Sequence, residues 1–94
     1  MKRNTEEHAR YSVYLRTFCA LKKNGNRAIS LRNIEEWYPR RADRILSYMQ
    51  EAMYGRGAIF HGTGTADGVG WYLRTEIYAM SSAEYINWYK QAKQ

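Results

Sequence analysis

The sequence predicts a single α+β domain over residues 1–94, with elements in the order helix, short strand, helix, helix, strand, glycine loop, strand, helix. Three observations predict it. Apolar residues recur at three- and four-residue steps in the first half and again near the end, the period of helices with one buried face. Between Trp71 and Tyr78 the period changes to two, the mark of a half-buried strand. The two halves are separated by Gly55 and Gly57, which break the preceding helical pattern.

Each element has its own signals. Asn4 and Thr5 are N-cap residues, Glu6 and Glu7 follow in the first turn, and Lys22 and Lys23 precede the stop Asn24-Gly25-Asn26. The buried stripe of this first helix reads Tyr11, Tyr14, Leu15, Phe18 and Leu21, and Cys19 is expected as a buried thiol. Arg27-Ala28-Ile29 is a short edge segment with Ile29 pointing inward. Ser30 caps a second helix carrying Leu31, Ile34 and Trp37, which Pro39 ends, since the residue before a proline is pushed out of the helical region. A third helix over Pro39 to Met53 carries Ala42, Ile45, Leu46, Met49 and Met53 on one face. Strands are expected at Ala58 to His61 and Gly70 to Arg74, around a flexible loop from Gly62 to Val69. Inward residues of the second strand continue through Thr75 and Ile77. Ser81 and Glu84 form a capping box for a last helix over 81–93, with Tyr85, Ile86, Tyr89 and Ala92 on one side.

A chain of 94 residues buries about two-thirds of the surface its unfolded form exposes, so its core can stand without a disulfide or metal staple. Its one cysteine admits no internal disulfide, which suits a reducing cytoplasm. No apolar run reaches signal or membrane-span length, so the reading is a cytoplasmic protein without a membrane partner. The net charge of +6 is unevenly placed: residues 1–44 hold eleven Lys/Arg against five Asp/Glu, whereas residues 57–94 hold three of each. A positive N-terminal half favours a polyanionic partner.

Catalytic patterns are missing. The glycine loop lacks the Lys-Ser/Thr of a phosphate loop, because Val69 follows Gly68, and Asp67 stands where a dinucleotide fingerprint needs its third glycine. His8 and His61 belong to no ligand-spaced cluster, so neither metal nor cofactor is called for. Cys19 has no sequence partner for nucleophilic work, no serine sits in a nucleophile elbow, and the adjacent Glu35 and Glu36 face different directions, a poor acid–base pair. The expectation is a protein without enzymatic activity.

The residues with directed chemistry are arginines. Arg40, Arg41 and Arg44 project from the start of the third helix, opposite Ile45 and Met49, where guanidinium groups clamp phosphates or read guanine edges. In its order of elements the stretch 5–78 resembles the winged-helix DNA-binding fold, as found in small prokaryotic and phage regulators. The resemblance makes residues 39–53 the recognition helix, with Arg40, Arg41, Arg44, Ser47 and Tyr48 at a major groove. Arg27 and Arg32 become flanking DNA contacts. The wing falls on Thr63 to Val69, where Thr63 and Thr65 face phosphate, although it carries Asp67 and no cation. The implied partner is double-stranded DNA and the implied role sequence-specific transcription regulation for a phage or mobile element. An alternative is a protein-binding winged helix acting as adaptor or inhibitor of a host protein. Aromatic residues of the last helix, Tyr85, Trp88 and Tyr89, are expected at a homodimer interface. A dimer would set two recognition helices about one DNA turn apart, roughly 34 Å.

Overall fold

The first helix, α1 (Thr5–Lys23), forms where acidic residues meet its positive end and lysines its negative end. The structure, a computed structural model, describes residues 5–92; the expected cap at Asn4 and the end of the last helix at Lys93 lie outside them. The buried face of α1 is Val13, Tyr14, Thr17, Phe18 and Leu21, rotated from the expected stripe so that Tyr11 and Leu15 sit half-buried at its margin. That rotation corrects the reading of Cys19, which lies past the margin and is exposed. Thr17 is tolerated in the core because its hydroxyl donates to the Val13 carbonyl at 2.8 Å.

Gly25 and Asn26 end α1 in the left-handed region, with φ of 72° and 65°, and the Asn26 N–H returns to the Leu21 carbonyl at 2.7 Å. The Asn26 side chain then does what a strand neighbour would do. Its amide donates to the Leu73 carbonyl at 3.1 Å and its oxygen accepts from the Leu73 N–H at 2.8 Å. Leu73 is buried, so losing these bonds strands two main-chain groups. Asn26→Gly, which keeps the backbone freedom but loses the amide, is expected to cost about 2–4 kcal/mol in urea denaturation; a wild-type midpoint would show that the two bonds contribute nothing.

The strand β1 (Ile29–Ser30) is short, and Ile29 points inward as expected. Ser30 caps α2 (Leu31–Trp37) in a reciprocal box: its hydroxyl accepts from the Asn33 N–H, and the Asn33 side-chain oxygen accepts from the Ser30 N–H. The next helix starts later than the sequence suggested. Pro39 and Arg40 form a turn closed by the Arg41 N–H on the Tyr38 carbonyl at 3.1 Å, Arg41 is the N-cap, and α3 runs Ala42–Glu51.

Two antiparallel strands follow, β2 (Phe60–Thr65) and β3 (Gly68–Leu73), and the sheet order is β1-β3-β2. The expected eight-residue loop is thus mostly ladder, from Phe60↔Leu73 to Thr65↔Gly68, with only Ala66-Asp67 connecting the strands. Gly62 and Gly64 fall in the expected loop and Gly70 at the expected start of the second strand, yet each supplies a normal backbone to the ladder. Only Gly70 meets main chain: a Cβ there would lie 2.6 Å from Thr65 Cγ2 and 3.0 Å from the Ile29 carbonyl oxygen, whereas one on Gly62 would meet Met53 Cε at 2.5 Å, the end of a flexible side chain that can move aside. At the tip, the Thr65 hydroxyl accepts from the Asp67 N–H and donates to the Gly68 carbonyl.

Strand β3 stops at Leu73. The expected continuation through Thr75 and Ile77 is instead a single helical turn, α4 (Thr75–Tyr78), whose first bonds close on the Arg74 carbonyl. Ile77 still reaches the core from there. The last helix, α5 (Ser82–Ala92), has the expected Ser81–Glu84 capping box. Its rings pack on α1: Tyr85 stacks on Phe18 with centroids 4.2 Å apart and planes 7° from parallel, and Tyr89 lies edge-on to Tyr11 at 5.1 Å. Trp71, from the middle of the sheet, is fully buried beneath these layers, its ring N–H directed at Met53 Sδ 3.3 Å away.

Candidate nucleic-acid interface

Three expected site arginines meet at one place. Arg40 comes from the Pro39 turn, Arg41 from the N-cap and Arg44 from the first turn of α3. With Glu6, Asp43, Ser47 and Tyr48 they line an open concavity of about 770 Å³. All three arginines are exposed, and none is within ion-pair distance of a described carboxylate, Asp43, Glu35 and Glu36 included. Glu6 is engaged elsewhere, 3.3 Å from Arg10.

The local sequence leaves this end of α3 electropositive. A helix start is stabilised by an acceptor side chain at the N-cap and by anions in the first turn. Here the N-cap is Arg41, which makes no side-chain cap bond, and only Asp43 supplies negative charge in the first turn. The guanidinium groups and the open main-chain N–H groups of α3 therefore present donors to the same space, a combination suited to phosphate oxygens.

Other expected contacts fall differently. Ser47 is exposed on the rim. Tyr48 is a correction: its side chain is buried, its ring lies under the Arg10 guanidinium at 4.8 Å, and its carbonyl accepts from the Tyr14 hydroxyl at 2.6 Å, so it cannot enter a groove. Arg32 is exposed on α2 and lies 3.7 Å from Asp67 at the hairpin tip. The pair offsets the tip's negative charge, but at such exposure it contributes roughly 0–1 kcal/mol to stability. Arg27 is exposed in the connection before β1, with its N–H on the Asn24 side chain. The Thr63 and Thr65 hydroxyls donate to the carbonyls of Gly64 and Gly68, within the hairpin itself.

The residues expected at a dimer interface are also redistributed. Tyr85 and Tyr89 are core residues, because α5 uses its aromatic face on α1; only Trp88 retains surface, beside Arg56, Arg74 and Glu76. A cation that the sequence did not single out is Arg16, whose guanidinium sits 4.7 Å from the Trp37 ring and 5.3 Å from the Tyr38 ring. It stands on the Tyr38-Pro39 corner that leads into Arg40. Only the packing of α1 beside α2 brings it there, and no local spacing signals it.

Among the described residues no group of three His, Cys, Asp or Glu side chains gathers as metal ligands, and no helix is long and apolar enough to cross a membrane. Set against family models, curated proteins and solved structures, the chain matches none.

Proposed function

We propose that this protein is a winged helix that binds double-stranded DNA and regulates transcription without catalysing a reaction, with α3 as the recognition helix. The observation that carries the reading is the concavity of Arg40, Arg41 and Arg44: three exposed guanidinium groups without carboxylate partners among the described residues, at an N-terminus that lacks a side-chain cap bond. A cluster of this kind opposes the formation of its own helix, and phosphate is the ligand that would relieve it. The order of elements and the three-stranded sheet support the same reading. Arg40 and Arg41 then hold phosphates, and Arg44 with Ser47, one turn further along α3, meets base edges. The hairpin contributes little to DNA affinity, because its tip carries Asp67 and its threonine hydroxyls are bonded within the hairpin itself.

The test is binding to a short random-sequence duplex over a salt series, followed by selection of preferred sites from the same pool. Arg40→Ala and Arg41→Ala should each lower the salt slope by about 0.9 unit and weaken all sequences alike. Arg44→Ala should also relax discrimination at one base pair, by about 1–3 kcal/mol. All three side chains are exposed, so circular dichroism should show an intact fold. A triple variant that folds and binds duplex DNA as tightly as the wild type would refute the assignment.

A further inference from the structure

Several guanidinium groups of this protein meet oxygen. Arg10 lies at Glu6 and Glu51, Arg32 at Asp67, and Arg74 donates to the Met53 carbonyl. Arg16 is held differently. Among the described residues no carboxylate or carbonyl takes a bond from its guanidinium, which lies 4.7 Å from the Trp37 ring centre and 5.3 Å from that of Tyr38. The residue is exposed to solvent.

An aromatic face attracts a guanidinium but offers it no lone pair, so the two rings hold Arg16 and leave its N–H donors to be met from outside the chain. The platform is firm, because Trp37 and Tyr38 are half-buried and packed on the core. An arginine held in this way has less side-chain freedom to lose when an acceptor arrives. Tyr38 also fixes where those donors lie. Its ring carries Arg16, while its carbonyl accepts from the Arg41 N–H at 3.1 Å and so closes the turn that presents Arg40 and Arg41.

We propose that Arg16 is a third phosphate-binding arginine beside Arg40 and Arg41, taking a backbone phosphate of the duplex outside the groove. The inference rests on the DNA-binding reading and extends it: the footprint crosses the Tyr38-Pro39 corner from α3 onto α1. Phosphate is the ligand that suits the position. Arg16 lies back on two rings in the middle of α1 instead of projecting from the helix assigned to the groove, so it is not placed to follow Arg44 to base edges. Its planar fork of donors matches phosphate oxygens. With Arg40 and Arg41 it sets cations on both sides of one turn, which a chain of phosphates can meet in succession. Arg16 therefore adds affinity without reading sequence.

The test compares Arg16→Gln with the wild type on the same random-sequence duplex between about 50 and 200 mM salt. Losing one phosphate contact lowers the slope by about 0.9 unit, so the affinity ratio of wild type to variant should shrink about 3.5-fold across that range. Preference among selected sites should stay as in the wild type, and Arg16→Lys, which keeps the charge, should restore most of the slope. Arg56→Gln, which removes an exposed charge beside Trp88, should leave the slope unchanged. A second readout needs no variant: the Arg16 Nε–H resonance of the wild type should shift when the duplex is added. An arginine that only braces the corner would behave otherwise, since its loss would change affinity by a ratio independent of salt. A salt-independent ratio, an Arg16 resonance that stays in place, or an equal change of slope in Arg56→Gln would each overturn the inference, while Arg40→Ala and Arg41→Ala still reported on the recognition helix. A wild type that does not bind the duplex would overturn the recognition-helix reading and this inference with it.

Discussion

Raising the pH above about 10 is expected to unfold the protein. Burial pushes the hydroxyls of Tyr14 and Tyr85 well above the usual tyrosine range, and that of Tyr89 upward as well. For Tyr14 the positive Arg10 nearby opposes the shift without cancelling it. Its hydroxyl is also the donor to the Tyr48 carbonyl, a bond that only the protonated form makes. Because the folded pKa is raised above the unfolded one, the folded state holds the proton more tightly. Stability is complete below about pH 10 and is lost as the pH rises past it. Each tyrosine kept protonated by the fold removes about 1.4 kcal/mol per pH unit, so Tyr14 and Tyr85 together remove roughly 5 kcal/mol by about pH 12. That equals the whole stability of many small domains, about 5–15 kcal/mol. Near-ultraviolet circular dichroism should collapse together with a cooperative rise in tyrosinate absorbance. Ionisation of all nine tyrosines with the native signal intact would show that the Tyr14 and Tyr85 rings are not in the core.

Truncating Tyr85 should have the largest effect of any single change on α5. Its ring is fully buried and stacked on Phe18, so Tyr85→Ala is expected to cost about 3–5 kcal/mol, the range for large aromatic residues in a core. Tyr85→Phe should act in the opposite direction. The hydroxyl is buried with no hydrogen-bond partner among the described residues, so removing it should leave stability unchanged or raise it by up to about 1 kcal/mol. Chemical denaturation of the two variants checks both halves. If Tyr85→Ala instead keeps its stability and only changes oligomeric state, the ring is an interface residue and α5 does not close the core.

The pattern of agreement follows from how local each signal is. The capping boxes at Ser30–Asn33 and Ser81–Glu84, the stop at Asn24-Gly25-Asn26 and the inward Ile29 are decided by residues within a few positions of one another, and the structure has each of them. The start of α3 was misplaced by a few residues. Pro39 suits the first turn of a helix, but it is equally at home in the turn that the Arg41 N–H closes on Tyr38. The outer part of the hairpin, residues 62–69, falls in the expected loop because glycine is usually a breaker, yet a ladder needs only main-chain groups, and β3 pairs with β2 as far as Thr65↔Gly68.

What the sequence by itself determined is the order of elements apart from the turn α4, the excess of positive charge in the first half, and the presence of arginines where the third helix begins. These follow from periodicity, capping and composition, which act over one or two turns of chain. Only the tertiary structure decided which of those side chains remain available. Tyr48 was taken into the core from the face assigned to a groove, and Tyr85 and Tyr89 were spent on α1; Arg16 was brought from mid-helix to the Tyr38-Pro39 corner. The physical reason is that a helical or strand period fixes directions relative to one element's axis, whereas burial depends on where neighbouring elements lie around that axis, a matter settled between residues tens of positions apart.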